Sequence, residues 1–488
     1  MINSSKKLQK DFVSYFISNF VPLIMNLLAV YIYTAILKTD EFGEYNIVIS
    51  TYTIISMFLF EWIGQGIMRF MPIYEKEGTT PILMKIVKVI NTLILAFVVL
   101  FVIQKVCIRY NVLDELIIGA LYVLTSGVFL ILTSILRAKL NSGLFLKVSL
   151  FQSVINCVIS IGLLINFKSF WMIVISKVIT NIIAIIYLIR EINKSKIIAN
   201  DEIKITKDKL KKILMEMLKY GFPIILTGIG SMGLKIGDRY IIKYILGNSG
   251  VGIYTSNYMI SENITMVLFG PIMTAAHTLM INLYEKNQIE ELKNMLLQIK
   301  KSSILLFIPI IMYITLFHKN TSNIFISKSY DVGSLVIPIT LLGIFLFNYG
   351  LYNFKIYEFK LKSMKITNVI TICFFINIVL NICLITKLNI YGAALSTTSA
   401  YAIFFIISVY VNKKEKFINR IENKFTIKLI INNLVLFIIW LTIKFFSNKL
   451  LRIDNYLENI IFVIFTATPV FLGYLYISVF KLKMIKLK

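Results

Sequence analysis

Charge is scarce in this chain. Of 488 residues only 16% are Asp, Glu, Lys or Arg, against about 25% in an ordinary globular domain, and the acidic half is the scarcer, 25 residues against 51 basic ones. With 58% hydrophobic residues and a mean hydropathy of +0.80 there is no soluble surface to offer, so the chain is a membrane protein. A net charge of +26 would suggest nucleic acid in a soluble chain. Here the basic residues sit between apolar runs, where they report topology, and a nucleic-acid partner is excluded. Cysteine is nearly absent: Cys107, Cys157, Cys373 and Cys383 show no CxxC spacing, and three lie in apolar runs where a thiol behaves as a small hydrophobe, which excludes a disulfide frame or a zinc site. The two histidines, His277 and His318, flank spans on opposite faces and cannot share a metal. No DxD lies in a loop of the basic face and no Gly-rich phosphate loop precedes a helix. The outer segments stop at about a dozen residues, so neither a nucleotide-sugar transferase nor a polysaccharide polymerase has a place for its catalytic groups.

What the chain has instead is apolar length. A helix needs about 20 predominantly apolar residues to cross the hydrocarbon core. Six windows reach this with no Asp, Glu, Lys or Arg: 12–37, 148–167, 332–354, 366–386, 388–412 and 459–480. Eight more are shorter or carry a charge: 43–67, 82–103, 116–136, 169–189, 219–243, 251–275, 302–317 and 428–446. The total predicts an all-α membrane protein of about 14 transmembrane helices, with both termini on one side. The first apolar run is too long for a signal-peptide core, so it is read as a retained first helix. Alternating the loops places 37 of the 51 basic residues on the face of the termini, 12 on the opposite face, and two, Lys177 and Lys235, inside helices. The basic face is cytoplasmic by the positive-inside rule. The longest polar stretch, 190–219, lies on that face and reads as an interdomain linker ending in an amphipathic surface helix, 207–219.

An internal repeat sharpens the architecture. At an offset of 209, Ile36-Leu37 and Phe42-Gly43-Glu44-Tyr45 align with Ile245-Leu246 and Val251-Gly252-Ile253-Tyr254. At an offset of 221, Ile155-Asn156 pairs with Ile376-Asn377, and Ile161, Leu163 and Phe170 pair with Ile382, Leu384 and Tyr391. Six spans separate the copies, so they keep one orientation and are related by an axis along the membrane normal. The expected organisation is a first lobe, 1–190, a linker, 191–218, a second lobe, 219–412, and an appended pair of helices, 413–488.

Several motifs in this order carry a family resemblance. Lys219-Tyr220-Gly221-Phe222-Pro223, Asp238-Arg239-Tyr240, Leu246-Gly247, Val251-Gly252-Ile253-Tyr254, Asn377, Asn381 and Tyr391-Gly392-Ala393-Ala394 resemble the second lobe of bacterial polysaccharide (O-antigen type) flippases. Glu41-Phe42-Gly43-Glu44-Tyr45 and Arg69-Phe70 are similar to the first-lobe signature. That family belongs to the multidrug/oligosaccharidyl-lipid/polysaccharide exporter superfamily. The resemblance implies two lobes around a V-shaped cleft, through which undecaprenyl-diphosphate-linked sugar units pass from the cytoplasmic to the outer leaflet. It also implies membrane lipids, a polysaccharide polymerase and glycosyltransferases as partners.

A charge at the bilayer centre costs at least about 2.5–3.5 kcal/mol on insertion scales, so each one in a span is a candidate for function. Arg69 and Arg137 mark the cytoplasmic ends of their helices, Lys177 and Lys235 lie within spans, and Lys235, Asp238 and Arg239 share one helical face expected to line the cleft. Cations replace the hydration of a diphosphate in such a cleft. Arg69 and Arg137 are therefore expected to capture the headgroup, Lys177 and Lys235 to hold it mid-membrane, and Arg239 to lie on the exit side. The bland alternative for the arginines is anchoring at the interface or, for Arg239, pairing with Asp238. Glu61, Asp238 and Glu262 either take up a proton or sodium ion that couples transport to the membrane potential, or pair with cleft cations. No organic cofactor and no resident metal is expected. The glycines at 228, 230, 233 and 237 suit close helix packing or bending. Two relatives of the same fold stay open, a cation-coupled multidrug exporter and a lipid II flippase.

Overall fold

The computed structural model describes residues 20–76, 113–139, 141–194, 207–360, 364–415, 421–450 and 456–478, with isolated positions between them. Among the described residues every regular element is helical. Five helices come first: α1 (Phe20–Ile36), α2 (Thr39–Lys76), α3 (Leu113–Ala138), α4 (Ser142–Phe167) and α5 (Trp171–Lys194). The stretch 207–285 is broken at Gly247, whose φ of 76° reverses the chain between α6 (207–246) and α7 (248–285). A left-handed φ is open to glycine without a Cβ penalty, which explains the Leu246-Gly247 motif at this turn. Then follow α8 (Ile289–Leu316), the short α9 (His318–Phe325) and α10 (Val336–Phe359). A second break at Asn389, φ 53°, separates α11 (364–388) from α12 (390–415), and α13 (Asn423–Leu450) and α14 (Tyr456–Tyr476) complete the set.

Thirteen of the fourteen apolar windows overlap a helix, while the window 82–103 lies almost wholly outside the described residues. Nine described helical segments, with 364–415 counted once, are long and apolar enough to cross a membrane. The chain forms two compact units. One comprises Met1–Ala29 with Glu44–Ile236, the other Val30–Gly43 with Gly237–Lys488. The division thus falls inside α1, inside α2 and inside α6.

In the first unit, α2 presents Phe60, Ile63, Ile67 and Met71 on one face to Val123 and Ile131 of α3 and to Ile213 and Met217 of α6. The 207–219 stretch read as a surface helix is therefore the start of α6, packed on α2 through its apolar side, with the Tyr74 hydroxyl donating to Glu216 at 2.9 Å. In the second unit Phe269, Phe307, Phe345 and Tyr352 form an aromatic core with ring centroids 4.5 to 6.1 Å apart.

The stretch 286–301, which carries four lysines between two apolar windows, is mostly helix, because α8 begins at Ile289. Lys300 and Lys301 are buried in it, 8% and 7% exposed. Lys300 donates to Asn353 at 2.7 Å and lies over the Tyr349 ring; Lys301 pairs with Glu422 at 3.1 Å. Buried ammonium groups need such partners, since removing one leaves an uncompensated charge.

The repeat is visible in contacts. Within the second unit the starts of α2 and α7 meet reciprocally: Thr39 and Ser249 share a hydroxyl hydrogen bond of 2.8 Å, a Cβ on Gly43 would land on the Asn248 carbonyl, and one on Gly252 on the Thr39 carbonyl. The second match recurs as a hydrogen bond. Ser176 donates to Asn156 at 3.3 Å in the first unit, and Asn377 to Thr397 at 3.4 Å in the second, each pair 20 residues apart and the two pairs displaced by the same 221 residues.

Candidate functional site

Three helices of the first unit carry polar stripes on one face. On α4 the stripe is Ser149, Gln152, Ser153 and Asn156, at helical spacing in a window with no charge; on α5 it is Lys177, Thr180 and Asn181. On α3 the facing residues run from Tyr122 through Ser126 and Thr133 to Arg137. Together with Asn26 and neighbours on α1 these stripes enclose a cavity of about 470 Å³, within the range of small-molecule sites. Its described lining holds two cations, Arg137 and Lys177, and no carboxylate. Polar side chains at bilayer depth are tolerated where they line water, which accounts for the composition of these stripes.

The two cations stand far apart. Arg137 lies 15 residues beyond Tyr122, about 22 Å along α3, and its guanidinium is held 4.9 Å from the Phe145 ring. Lys177 is only six residues into α5, in the half nearer Trp171, and no hydrogen bond or ion pair joins it to a described residue. Between them the lining is neutral: Gln152 Nε2 donates to Asn181 Oδ1 at 2.8 Å, and Asn181 approaches Thr125 at 3.5 Å.

The second unit holds a different cluster. Asp238 on α6 is fully buried; Tyr254 donates to its Oδ2 and Thr397 reaches the same oxygen at 3.4 Å. Asn381 donates to Asn377 at 3.0 Å, and Asn377 in turn to Thr397. Two buried oxygens of the set, Asp238 Oδ1 and Asn381 Oδ1, find no hydrogen-bond donor. An orphaned buried acceptor costs about 1–3 kcal/mol, more when charged. Beside the buried Arg239, whose charge and backbone also act on Asp238, one carboxylate with amide and hydroxyl oxygens offers acceptors to a proton or a hard monovalent cation.

Residues 8–282, more than half of the chain, match the family described as polysaccharide biosynthesis protein. The chain belongs to that family. Residues 223–386 of this family member also match the MatE family. Among curated proteins it is 22% identical over 289 residues to "Uncharacterized membrane protein MJ1068" of Methanocaldococcus jannaschii, covering 58% of this chain and 54% of that one, so it spans about half the length of that relative. Among solved structures it resembles a lipid II flippase, MurJ, in an inward closed conformation, with a TM-score of 0.72, 18% identity and coverage of 96% of this chain and 99% of that one. An inward-facing multidrug resistance MATE transporter of the MOP superfamily follows at 0.61, 13% identity, 80% and 94%. The fold is that of the MOP-superfamily transporters.

Against this frame the family member distributes its expected site residues unevenly. Arg137 and Lys177 share the cavity. Arg69 is exposed on α2 with its guanidinium 5.9 Å from the Tyr220 ring, and it is not among the cavity residues. Lys235, Asp238 and Arg239 do not present one open face: Lys235 is exposed and belongs to the first unit, whereas Asp238 and Arg239 are buried in the second. Glu61 accepts from Gln65 at 2.8 Å, one turn along its own helix. Glu262 is half-buried on α7. The carboxamides Gln152, Asn156 and Asn181 escaped the charge-based reading, although their helical spacing in charge-free windows was there to be read.

Proposed function

We propose that this protein is a flippase that moves undecaprenyl-diphosphate-linked oligosaccharide units from the cytoplasmic to the outer leaflet of the cytoplasmic membrane, by alternating access, for surface polysaccharide assembly. One observation carries the reading: a cavity in the first unit lined by Arg137, Lys177 and neutral amides, with no carboxylate among its described lining. Such a lining favours an anionic, hydroxyl-rich headgroup and disfavours a cationic drug, for which the multidrug-exporter alternative would need carboxylates. A lipid II flippase shares the diphosphate and differs in the sugar. Arg137, at the basic end of α3, receives the diphosphate from the cytoplasmic leaflet, and Lys177 takes it over nearer the outer face. Arg137 ends α3 and Lys177 lies in the first half of α5, so one diphosphate uses them in turn. The prenyl tail stays in lipid. Arg69 and Lys235 contribute positive charge to the approach and transfer of the headgroup, and Arg239 stays with Asp238.

Transport draws on an ion gradient through the Asp238 cluster, whose uncapped oxygens suit H+ or Na+. Both termini are cytoplasmic, and glycosyltransferases and a polysaccharide polymerase supply and consume the lipid-linked substrate. The protein itself makes and breaks no bonds. Deleting the gene should leave a lipid-linked oligosaccharide accumulating on the cytoplasmic leaflet, and Lys177→Gln should reproduce that accumulation at wild-type membrane abundance. Normal polymer output from the K177Q strain would sink the assignment of Lys177. Absence of any accumulated lipid-linked sugar in the deletion strain would sink the function.

A further inference from the structure

Gln152 and Asn181 do more than line the cavity that the flippase reading assigns to the headgroup. They face each other from α4 and α5 through a 2.8 Å hydrogen bond, and Asn156 lies one turn further along α4, tied to Ser176. Each carboxamide carries two N–H donors and a carbonyl acceptor. The mutual bond consumes one donor of one and part of the acceptor capacity of the other, in whichever orientation the amides are assigned. What remains is an alternating set of donors and acceptors held rigid by packing in two helices. An anion alone calls for donors, and a cation alone calls for acceptors. Adjacent hydroxyls, each donating and accepting, call for both.

The position fits the same chemistry. Gln152 lies seven residues beyond Phe145, the ring on which Arg137 rests, or about 10 Å along α4. A headgroup anchored by its diphosphate at Arg137 therefore places its first sugar against the amides, short of Lys177. We infer that Gln152 and Asn181, supported by Asn156, form a sugar-recognition subsite that distinguishes a glycosylated lipid diphosphate from the bare one. This rests on the reading of the cavity as a lipid-diphosphate site and adds to it the part of the ligand that sets specificity.

The test measures binding of two probes to the purified full-length protein: a polyprenyl diphosphate, and the same lipid carrying one hexose or one N-acetylhexosamine. Wild type should prefer a glycosylated probe. Gln152→Met and Asn181→Leu, which keep volume and remove hydrogen bonding, should each lower that preference by about 3- to 10-fold, the range of a lost hydrogen bond or two, while affinity for the bare diphosphate stays within twofold. The exchange Gln152→Asn with Asn181→Gln should restore the preference, which a general loss of stability would not allow. Arg137→Gln should weaken both probes alike. If Q152M and N181L leave the preference untouched, or weaken both probes equally, the subsite is overturned and the diphosphate reading stands. If wild type binds neither probe, both fall together.

Discussion

Asp238 holds one carboxylate oxygen against Tyr254 and Thr397 and leaves the other without a donor inside the second unit. Leaving a buried charge half-solvated is costly unless something neutralises it for part of the time. In the proposed function a proton or sodium ion fills that role, and its arrival and departure would then be linked to whatever rearranges around α6. Asp238→Asn keeps the size and one hydrogen-bonding oxygen but removes the charge. In proteoliposomes with an imposed Na+ or pH gradient, wild type should transport faster as the gradient grows, and D238N should respond by less than about twofold while still binding the bare lipid diphosphate. If D238N follows the gradient as wild type does, the coupling ion binds elsewhere. At this scale the sequence was partly legible. An aspartate in an apolar helix announces itself, but its partners Thr397 and Asn377 lie some 140 to 160 residues away, and only folding brings them together. The burial of Arg239 was not legible, because a helical wheel shows which residues share a face and not whether that face is covered.

Helices were the most legible level, since charge-free runs of about 20 residues leave little choice in a bilayer. Their ends were not. The basic residues at 293, 300 and 301 resemble a loop by composition, yet α8 tolerates them because Lys293 pairs with Glu290 on the same helix, while Asn353, Tyr349 and Glu422 reach Lys300 and Lys301 from distant parts of the chain. The opposite case is the junction of α2 and α7, where the repeated glycine of the two FGEY-like motifs explains itself once the helix starts are seen pressed together. A methyl at Gly43 meets the Asn248 backbone, and one at Gly252 meets that of Thr39. Backbone cannot move aside as a flexible side chain does, so Gly43→Ala and Gly252→Ala should each destabilise by about 1–3 kcal/mol or more. Thermal unfolding of the purified protein should show this, with the double variant non-additive because the two sites share one contact. Gly162, with nothing near its missing Cβ, is the control: Gly162→Ala should unfold at or above the wild-type temperature. Equal losses at all three positions would mean that close approach is not why these glycines are present.

The whole molecule carries one polar device twice and charges it oppositely. Asn156 with Ser176 and Asn377 with Thr397 occupy matching places in the duplicated chain. Beside the first pair stands Lys177, on a cavity whose wall includes Ala29. The position matching Ala29 at the 209-residue offset is Asp238, which stands beside the second pair. Duplication thus provides two equivalent polar foci, one beside Lys177 and the other beside Asp238 and Arg239, and the proposed function assigns the first to the anionic headgroup and the second to the coupling ion. In the proposed cycle each focus binds its own ligand, and the coupling between them appears as a change of one affinity when the other ligand is present. That separation predicts a double dissociation. Asn156→Leu should reduce the preference for a glycosylated over a bare lipid diphosphate and leave the half-saturating Na+ or proton concentration of transport within about twofold of wild type. Asn377→Leu should shift that ion concentration by about tenfold or more, the equivalent of roughly 1.4 kcal/mol, and leave the lipid preference unchanged. Measuring both quantities in both variants decides it. If each substitution moves both readouts equally, the two foci act as one site, and the opposite charging of the repeat does not divide the labour between headgroup and ion.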